Sequence, residues 1–262
     1  MEFEKKVRNA VKKLLKKDEK IMVALSGGKD SMTILNLLSE WGYNVEALMI
    51  DVDMGSVFDK NRANAEKLCK ELGVKLHLVS VKEELGKSVR ELQADSLMSN
   101  CMVCGVIKRY LLNKKARELG ADKLVTGHNL DDNAESVIMN VVMGNPRACM
   151  NLGEETGVIE HDLFVKKVKP LNNIREEEIR DYSEKEKLPV SYDNCPRSSN
   201  AFRRCVKNLL KEYNFNQENI IEYLKRIQPI IKNKYQTEEE LRTCSGCGEP
   251  SRKETCNACK LV

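Results

Sequence analysis

The feature that most constrains this chain is the hexapeptide SGGKDS at residues 26–31, which joins an apolar run to a helical pattern. The apolar run, residues 21–25, predicts a buried strand, and apolar side chains then recur at helical spacing over residues 32–42. Two adjacent glycines let successive backbone N–H groups turn toward one point, and a helix start adds its positive end. The segment is neither a Walker A loop nor a GxGxxG turn. Against the alternative of a plain glycine turn, it predicts a phosphate-binding loop formed by Ser26, Gly27, Gly28, Lys29, Asp30 and Ser31.

The same alternation of strand and helix continues beyond this loop. Apolar runs predict further strands at residues 45–51, 74–81 and 123–127, and helical patterns lie at residues 61–72, 105–119 and 131–144. Strands that alternate with helices of this length are typical of a parallel sheet covered on both faces. The sequence therefore predicts the α/β class, with a Rossmann-like parallel sheet.

Charge and composition divide the chain into four parts. Residues 1–20 carry eight Lys or Arg against four acids, in a protein whose net charge is only +4, and they predict a basic amphipathic helix. Residues 21–199 form the predicted α/β domain. Residues 200–240 look helical, and residues 241–262 are a Cys-rich tail that cannot build its own core.

Two kinds of segment that the sequence does not show, a membrane-spanning run and a signal peptide, indicate the cellular environment of the protein. The longest apolar runs span five residues, such as residues 21–25, whereas a membrane helix needs roughly 18–20. The first residues, MEFEKKVRN, mix acids with bases and have no apolar segment behind them, unlike a signal peptide. We therefore expect a cytoplasmic protein with no membrane partner.

Ten cysteines in such a chain are expected to be thiols, so clustered pairs indicate metal ligands or reactive groups rather than disulfides. In the tail, CSGC and CNAC are separated by eight residues, a spacing that fits tetrahedral zinc. A closed four-thiolate site offers no open position, so this Zn²⁺ is expected to be structural. Its predicted ligands are Cys244, Cys247, Cys256 and Cys259.

Three further segments carry a family resemblance. SGGKDS is similar to the PP-loop of the N-type ATP pyrophosphatases, which split ATP between the α and β phosphates and adenylate a substrate. The CMVC pair at residues 101–104, followed by GHNLDD at residues 127–132, resembles the tRNA 2-thiolation enzymes of the TtuA/NcsA group. The resemblance covers nearly all of residues 20–262. It is strongest to the archaeal NcsA branch, because residues 1–20 hold no cysteine for the N-terminal zinc finger of TtuA-type members.

The resemblance implies a [4Fe-4S] cluster on three of the cysteines, with one iron open for sulfur. The implied ligands are Cys101, Cys104 and Cys195, the last within DNCP at residues 193–196. A persulfide and disulfide pair formed by Cys101 and Cys195 without iron is the rival chemistry, and a structural zinc is a third alternative. Cys205 is predicted to be a core residue because it lies on a helical stripe with Phe202 and Val206, and Cys69 is likewise predicted to be core.

Several residues are expected at the carboxyl edge of the sheet, where open α/β folds bind ligands. Asp131 opens the helix after the fourth strand, where it could hold Mg²⁺, orient the base, or simply cap the helix. His128 could donate to a phosphate or be an ordinary loop histidine. In this chain Asn133 replaces an acid of the family's GHNLDDEA segment. The other predicted nucleotide contacts are Asp51 and Gly127, and the predicted catalytic set is Asp131, Cys101, Cys195 and Lys29.

These expectations combine into an ATP-dependent tRNA thiolase that makes 2-thiouridine. The wobble uridine is the favoured target, followed by the T-loop uridine and then by cytidine. The expected cofactors are ATP, Mg²⁺, Zn²⁺ and the [4Fe-4S] cluster. The expected partners are tRNA, a sulfur donor that is either sulfide or a carrier protein, and a second copy of the chain in a homodimer.

Basic residues near the cysteines support a polyanionic partner, since phosphate contacts supply affinity and positioning. They are Lys108, Arg109, Lys114, Lys115, Arg117, Arg197, Arg203, Arg204 and Lys207. A solvated helix face accounts for such charges equally well. Two other functions stay open: a PP-loop ligase that uses ammonia with another acceptor, and a zinc-ribbon RNA-binding module with a degenerate nucleotide fold.

Overall fold

The computed structural model of this chain describes residues 2–52, 55–156, 161–193, 195, 202–235 and 242–262. A six-stranded sheet runs through it in the order β3-β2-β1-β4-β6-β5, parallel except for β5 at one edge. The strands are β1 Ile21–Leu25, β2 Val45–Asp51, β3 Leu76–Ser80, β4 Lys123–Val125, β5 Glu155–Thr156 and β6 Lys166–Val168. This architecture confirms the predicted α/β class.

The helices cover both faces of the sheet. They are α1 Glu2–Leu14, α2 Lys29–Glu40, α3 Ser56–Leu72, α4 Val81–Leu85, α5 Val89–Ala94, α6 Asn100–Glu118, α7 Leu130–Val142, α8 Pro146–Cys149, α9 Glu176–Lys185, α10 Phe202–Glu212 and α11 Gln217–Tyr235. Among the described residues, no helix is both long enough and apolar enough to cross a membrane.

The central strand β1 shows why the apolar runs are continuous. Ile21 and Val23 point into one core layer with α1, α2 and α9, whereas Met22 points into the other layer with α5 and α6. Successive side chains of a strand point to opposite faces, so a strand covered on both sides must be apolar at every position. Val23 pairs with Ala47 on one neighbour and with Val125 on the other, in parallel register.

Helices α2, α3 and α6 each begin three or more residues earlier than predicted, and the shifts of α2 and α6 change where predicted site residues lie. Helix α2 begins at Lys29, inside SGGKDS, rather than at residue 32. Helix α6 begins at Asn100 rather than at residue 105, because the Ser99 side chain accepts a hydrogen bond from the Met102 N–H and caps the helix. The CMVC pair therefore lies in the first turns of α6 instead of in a loop before it.

Helices α10 and α11 pack against α7, as a helical extension of the α/β domain. The prediction that Cys205 belongs to the core is wrong: its side chain is exposed. Val206 and Leu210 form the buried stripe of α10, while Phe202 is 41% exposed. The buried stripe therefore follows an i, i+4 row that excludes Cys205. Cys69 is buried, as predicted.

The tail forms a small hairpin, β7 Arg242–Thr243 with β8 Pro250–Ser251, that packs on α6. Ala258 and Leu261 enter the same core layer as Ile107 of α6. The Arg117 guanidinium forms an ion pair with Glu249, and Asn113 donates to the same carboxylate at 3.3 Å. The tail therefore obtains from α6 the apolar contacts that it lacks by itself.

Candidate functional site

A cavity of about 520 Å³ opens at the carboxyl ends of β1, β2 and β4, the edge at which open α/β sheets bind ligands. The phosphate-binding loop forms one wall, and apolar side chains of β2 and α3 form another. The described residues that line it are Ala24, Leu25, Ser26, Gly28, Asp30, Ser31, Met49, Ile50, Val52, Val57, Phe58, Asn61, Cys104, Lys108, Leu112, Thr126, Gly127, His128, Asp132, Ser191, Asp193, Cys195 and Arg203. The predicted loop and two of the predicted cluster cysteines thus face one space.

The loop presents hydroxyl and backbone donors to this space. Ser26 Oγ and Ser31 Oγ lie 3.1 Å apart, and Ser31 Oγ also donates to the Gly28 carbonyl at 3.2 Å. Gly28 precedes α2 and provides no side-chain cap, so the first N–H groups of the helix remain available to an anion. Gly27 has a φ of +73°, a conformation that suits glycine.

Two neighbouring segments hold the loop in place. A Cβ atom on Gly127 would lie 2.7 Å from the Ser31 backbone nitrogen, so the loop after β4 is in direct backbone contact with the start of α2. On the other side the Ser191 N–H donates to the Gly27 carbonyl at 3.3 Å. The loop is therefore preorganised by contacts that exclude side chains at Gly127.

Lys29 is not among the described residues that line the cavity, so the catalytic role of its charge stays a prediction. Its Nζ lies 3.0 Å from Asp30 and 2.8 Å from Glu176, and the residue is 7% exposed. Burial opposes the charged form, but the two carboxylates prevail and raise the pKa of Lys29. Asp30 does line the cavity; burial raises its pKa even though Lys29 opposes the shift.

The two acids that open α7 lie in different surroundings, and neither is the side chain that caps the helix. Asn129, not Asp131, caps the helix: its side chain accepts from the Asp132 N–H at 2.9 Å, and Asp132 accepts in return from the Asn129 N–H. Asp131 Oδ2 instead accepts from the Glu176 N–H at 2.7 Å, and its carboxylate pairs with Arg175 at 3.2 Å. Asp131 therefore connects the start of α7 to the start of α9. Asp132 is the α7 carboxylate that lines the cavity.

The hydrogen bonds of Asn133 explain why an amide can replace the family's acid at this position. Its side-chain amide is buried and donates to the Asn129 carbonyl and to Asn172 Oδ1, each at 2.9 Å. An ionised carboxylate has no proton to donate to these two oxygens. The amide at this position therefore matches the Asn172 partner in the same chain.

His128 and Asp51 differ in how far they match the prediction. His128 lines the cavity, with Nδ1 2.9 Å from Thr126 Oγ1. The pKa of His128 is lowered because the cavity walls desolvate the ring, and the charge of Lys169 adds to this although Asp132 opposes it. Asp51 is not among the described residues that line the cavity, although Met49, Ile50 and Val52 are. The nucleotide contact from Asp51 therefore stays a prediction.

Two of the three cysteines of the implied cluster line the cavity, and the third lies nearby. Cys104 and Cys195 line it, and Cys101 lies one turn before Cys104 on α6. Burial raises the pKa of the Cys104 thiol, and nearby Lys108 opposes this while Cys195 and Cys101 reinforce it. Asn194 and Pro196 lie outside the described residues. In the described part of the chain these three sulfurs do not all lie within 4.8 Å of one another.

The tail cysteines do form such a compact group. The Sγ atoms of Cys244, Cys247, Cys256 and Cys259 all lie within 4.8 Å of one another. The Cys256 N–H donates to Cys244 Sγ at 3.2 Å, and this bond, together with hydrogen bonds from Gly246 and Cys247, lowers the pKa of Cys244 to about 6 although burial opposes the shift. Four thiols at this spacing, one of them inclined to be a thiolate, fit a tetrahedral metal ion.

Most of the basic residues expected to contact RNA already have carboxylate partners. Lys115 pairs with Glu84, Arg203 with Asp132 and Lys207 with Glu176, and Lys114 and Arg117 also form ion pairs. Arg197 lies outside the described residues. Lys108 and Arg109 have no carboxylate within 4.0 Å in the described structure. Lys108 lines the cavity one helical turn after Cys104.

Comparison with known proteins gives consistent matches along the chain. The model of a family described as a PP-loop domain matches residues 1–214. The tRNA-5-methyluridine(54) 2-sulfurtransferase of Pyrococcus horikoshii is 35% identical over 273 residues, which cover 99% of this chain and 84% of that protein. The tRNA 2-thiolation protein NcsA of Haloferax volcanii is 29% identical, over 92% of this chain and 81% of its own length.

Among solved structures, the U34-tRNA thiolase NcsA from Methanococcus maripaludis with its [4Fe-4S] cluster resembles this fold, with a TM-score of 0.81 and 32% identity. The match covers 98% of this chain and 86% of that one. An NMN synthetase from Francisella tularensis, at 11% identity and a TM-score of 0.54, shares the fold alone.

Proposed function

This chain belongs to the PP-loop domain family, in its tRNA 2-thiolation group, and from that premise we propose that it is an ATP-dependent tRNA 2-thiouridine synthetase. The observation that carries the proposal is the single cavity that joins the phosphate-binding loop to Cys104 and Cys195. A nucleotide and a sulfur-bearing group can meet there without any further site.

ATP would bind with its β and γ phosphates at the start of α2. The donors are the hydroxyls of Ser26 and Ser31 and the free N–H groups that follow Gly28. Apolar side chains of β2 and α3, such as Ile50 and Phe58, provide a wall for the adenine ring. Asp30 and Asp132 both line the cavity and are the carboxylates that would share Mg²⁺ with the phosphates.

The reaction then has two steps. The C2 oxygen of the target uridine attacks the α phosphorus of ATP, the bond to the β phosphate oxygen breaks, and pyrophosphate leaves. Sulfide sulfur next attacks C2, and AMP leaves with the former C2 oxygen. Lys108 and Arg203, which line the same cavity, would stabilise the negative charge that develops on the phosphate and on the leaving AMP. We assign Asp132 the role that the sequence suggested for Asp131.

Cys101, Cys104 and Cys195 would hold the [4Fe-4S] cluster. Three thiolates leave one iron without a protein ligand, and this open position is what the cluster supplies for binding the incoming sulfur. The cluster in the related M. maripaludis structure supports this assignment over an iron-free persulfide pair. The sulfur donor would be sulfide or a carrier protein, and the four tail thiols would bind structural Zn²⁺.

The wobble uridine is the proposed target, in line with the U34 enzyme from M. maripaludis. The T-loop uridine is the second candidate, because the P. horikoshii relative that acts at position 54 is 35% identical to this chain. We further propose a cytoplasmic homodimer. The exposed apolar side chains at the end of α7, Val141, Val142 and Met143, supply a surface for the second copy.

The decisive experiment is anaerobic thiolation of unmodified tRNA with ATP and sulfide. Thiolated RNA is retarded in an acrylamide gel that contains a mercury reagent, and nuclease digestion locates the modified nucleotide. AMP and pyrophosphate should form in step with sulfur incorporation. Release of ADP and phosphate, or thiolation without ATP, would refute the adenylation route. Thiolation at position 54 instead of position 34 would replace the favoured target with the second.

A further inference from the structure

A second cavity, of about 230 Å³, lies between α6, β6 and the tail. We call it the β6 cleft. It is lined by Val106, Arg109, Tyr110, Asn113, Phe164, Lys167, Glu249, Pro250, Cys256, Asn257 and Ala258. The phosphate-binding loop and the three cluster cysteines do not line it, so the reaction proposed above leaves it without a role.

Three cations lie in the cleft or beside it. Arg109 and Lys167 line the cleft, and Lys169 lies just after β6, two residues beyond Lys167. In the described part of the chain, no carboxylate oxygen lies within 4.0 Å of the charged groups of Arg109, Lys167 or Lys169. The one acid that lines the cleft, Glu249, is already paired with Arg117. Asp132 is the acid that acts on Lys169, at longer range than an ion pair, and Asp132 is itself paired with Arg203.

The lysine next to the cleft is the most unusual of the three. Lys169 follows β6 directly and is 8% exposed as a residue, and its ammonium group has no ion-pair partner among the described residues. Burial lowers the pKa of Lys169 and of Lys167, and the charge of Arg109 lowers the pKa of Lys167 further. A buried charge without a partner is costly. Clustered cations that repel one another are therefore expected to be stabilised by an anionic ligand.

An aromatic side chain completes the cleft. Phe164 lies just before β6 and is 42% exposed, which leaves part of its ring open to solvent. Proteins hold single-stranded nucleic acid with cationic side chains along its phosphate backbone and with exposed aromatic rings on which the bases stack. We propose that the β6 cleft binds a nucleotide next to the target uridine, with its phosphate on Arg109, Lys167 and Lys169 and its base against Phe164.

This inference rests on the proposed tRNA substrate, but it concerns the RNA strand and not ATP. The sheet order places β6 two strands from β1, with β4 between them. The ATP phosphates would lie at the start of α2, next to β1. The cleft therefore lies farther along the sheet, on the side of β4 that faces away from β1. Arg109, on α6, acts electrostatically on Cys104 and on Lys167. The cleft therefore adjoins the position where the uridine must meet sulfur.

The test measures the affinity for unmodified tRNA by filter binding over a series of KCl concentrations, with Lys167→Gln, Lys169→Gln and the double variant. For every phosphate contact that a variant removes, the slope of log affinity against log salt should decrease in magnitude by about 0.7. Phe164→Ala should weaken binding by about fivefold or more and leave that slope unchanged. ATP binding should stay at the wild-type level in all four variants.

Lys166→Gln is the matched control. Lys166 is adjacent on β6, is exposed, and pairs with Glu155 at 2.7 Å on the other side of the strand. This variant should keep the wild-type slope. An equal decrease in Lys166→Gln, or an unchanged slope in the double variant, would overturn the cleft assignment. Loss of ATP binding in Lys169→Gln would assign that lysine to ATP and overturn it as well. Failure of the wild type to bind or thiolate tRNA would instead refute the proposed function.

Discussion

A Cβ atom on Gly127 would lie 2.7 Å from the backbone nitrogen of Ser31. The loop that follows β4 therefore touches the backbone of the phosphate-binding loop with no room for a side chain. Gly27 has a similar restriction, since a Cβ there would lie 2.5 Å from the Asn61 carbonyl oxygen, at a φ of +73°. Gly28 has none: its φ is −86° and its Cβ would meet only Ser26 Oγ, at 3.5 Å.

These distances predict different results for two alanine substitutions. Gly127→Ala should displace the start of α2, because backbone cannot yield as a flexible side chain does, so both ATP affinity and melting temperature should fall. Gly28→Ala should keep the wild-type melting temperature and lose ATP affinity, because its methyl group would occupy the space that a phosphate must approach. Calorimetric titration with ATP and thermal unfolding measure the two effects. Equal melting temperatures for Gly127→Ala and wild type would contradict the packing argument.

The sequence was sufficient to predict the parts of the fold that depend on continuous local patterns. The strand at residues 21–25, the phosphate-binding loop and the paired tail cysteines are each defined within a few residues of chain. Strand β6 was missed because two of its three residues are lysines and only Val168 is fully buried. Its place in the sheet comes from pairing with β4, a contact that is distant in sequence.

The site residues were harder to predict, because neighbouring side chains on a helix diverge by about 100°. An error of one to three residues in the predicted start of a helix therefore changes which side chains are predicted to face the cavity. Capping by Asn129 turns Asp132 to the cavity and Asp131 toward Arg175. The start of α2 at Lys29 directs that lysine toward Glu176, a partner from a helix that the sequence pattern did not reveal.

The cluster assignment predicts a specific response to cysteine replacement. Cys101→Ala, Cys104→Ala and Cys195→Ala should each abolish the iron absorbance of anaerobically purified protein, because the remaining two thiolates cannot hold the cluster. Cys205→Ala is the matched control, since Cys205 is an exposed thiol on the neighbouring helix α10. Ultraviolet–visible spectra with iron and sulfide analysis report the outcome. A colourless, fully active wild type would favour the persulfide route instead.

The tail site should be separable from the iron site. Cys256→Ser should release zinc and lower the melting temperature, because the tail has only its contacts with α6 to replace the metal. The iron absorbance should persist, since Cys101 and Cys104 lie at the opposite end of α6 from Arg117, which holds Glu249 of the tail. Elemental analysis for both metals is the measurement. Loss of iron with retention of zinc would show that the ligand sets are assigned wrongly.

Glu135 predicts a pH dependence of stability. It is 4% exposed, and burial together with the charge of Asp132 raises its pKa from 4.5 to about 7, although Arg203 lies 3.5 Å away. The folded protein thus binds this proton more tightly than the unfolded chain, so the free energy of unfolding falls as the pH rises from 4.5 to about 7. Glu135→Gln cannot ionise and should gain stability relative to wild type across that range. If the free energies of unfolding of wild type and Glu135→Gln differed by the same amount from pH 5 to pH 8, this prediction would be contradicted.

The two acids that open α7 give the sharpest test of the chemistry. Asp131→Asn weakens the ion pair with Arg175, and the variant should lose about 1–3 kcal/mol of unfolding free energy.

Asp132→Asn keeps an oxygen that can accept from the Asn129 N–H, and it loses only the more exposed ion pair with Arg203, at 3.6 Å, so its stability should stay near that of wild type. It removes the α7 carboxylate of the cavity, so ATP-dependent thiolation should fall by about 10²-fold or more. Urea unfolding and the mercury-gel assay, run on the same preparations, measure stability and activity separately. If Asp131→Asn abolished thiolation at wild-type stability while Asp132→Asn stayed active, the catalytic role would return to Asp131. If both variants only lost stability, the cavity carboxylate would be Asp30, the other acid that lines it beside the phosphate-binding loop.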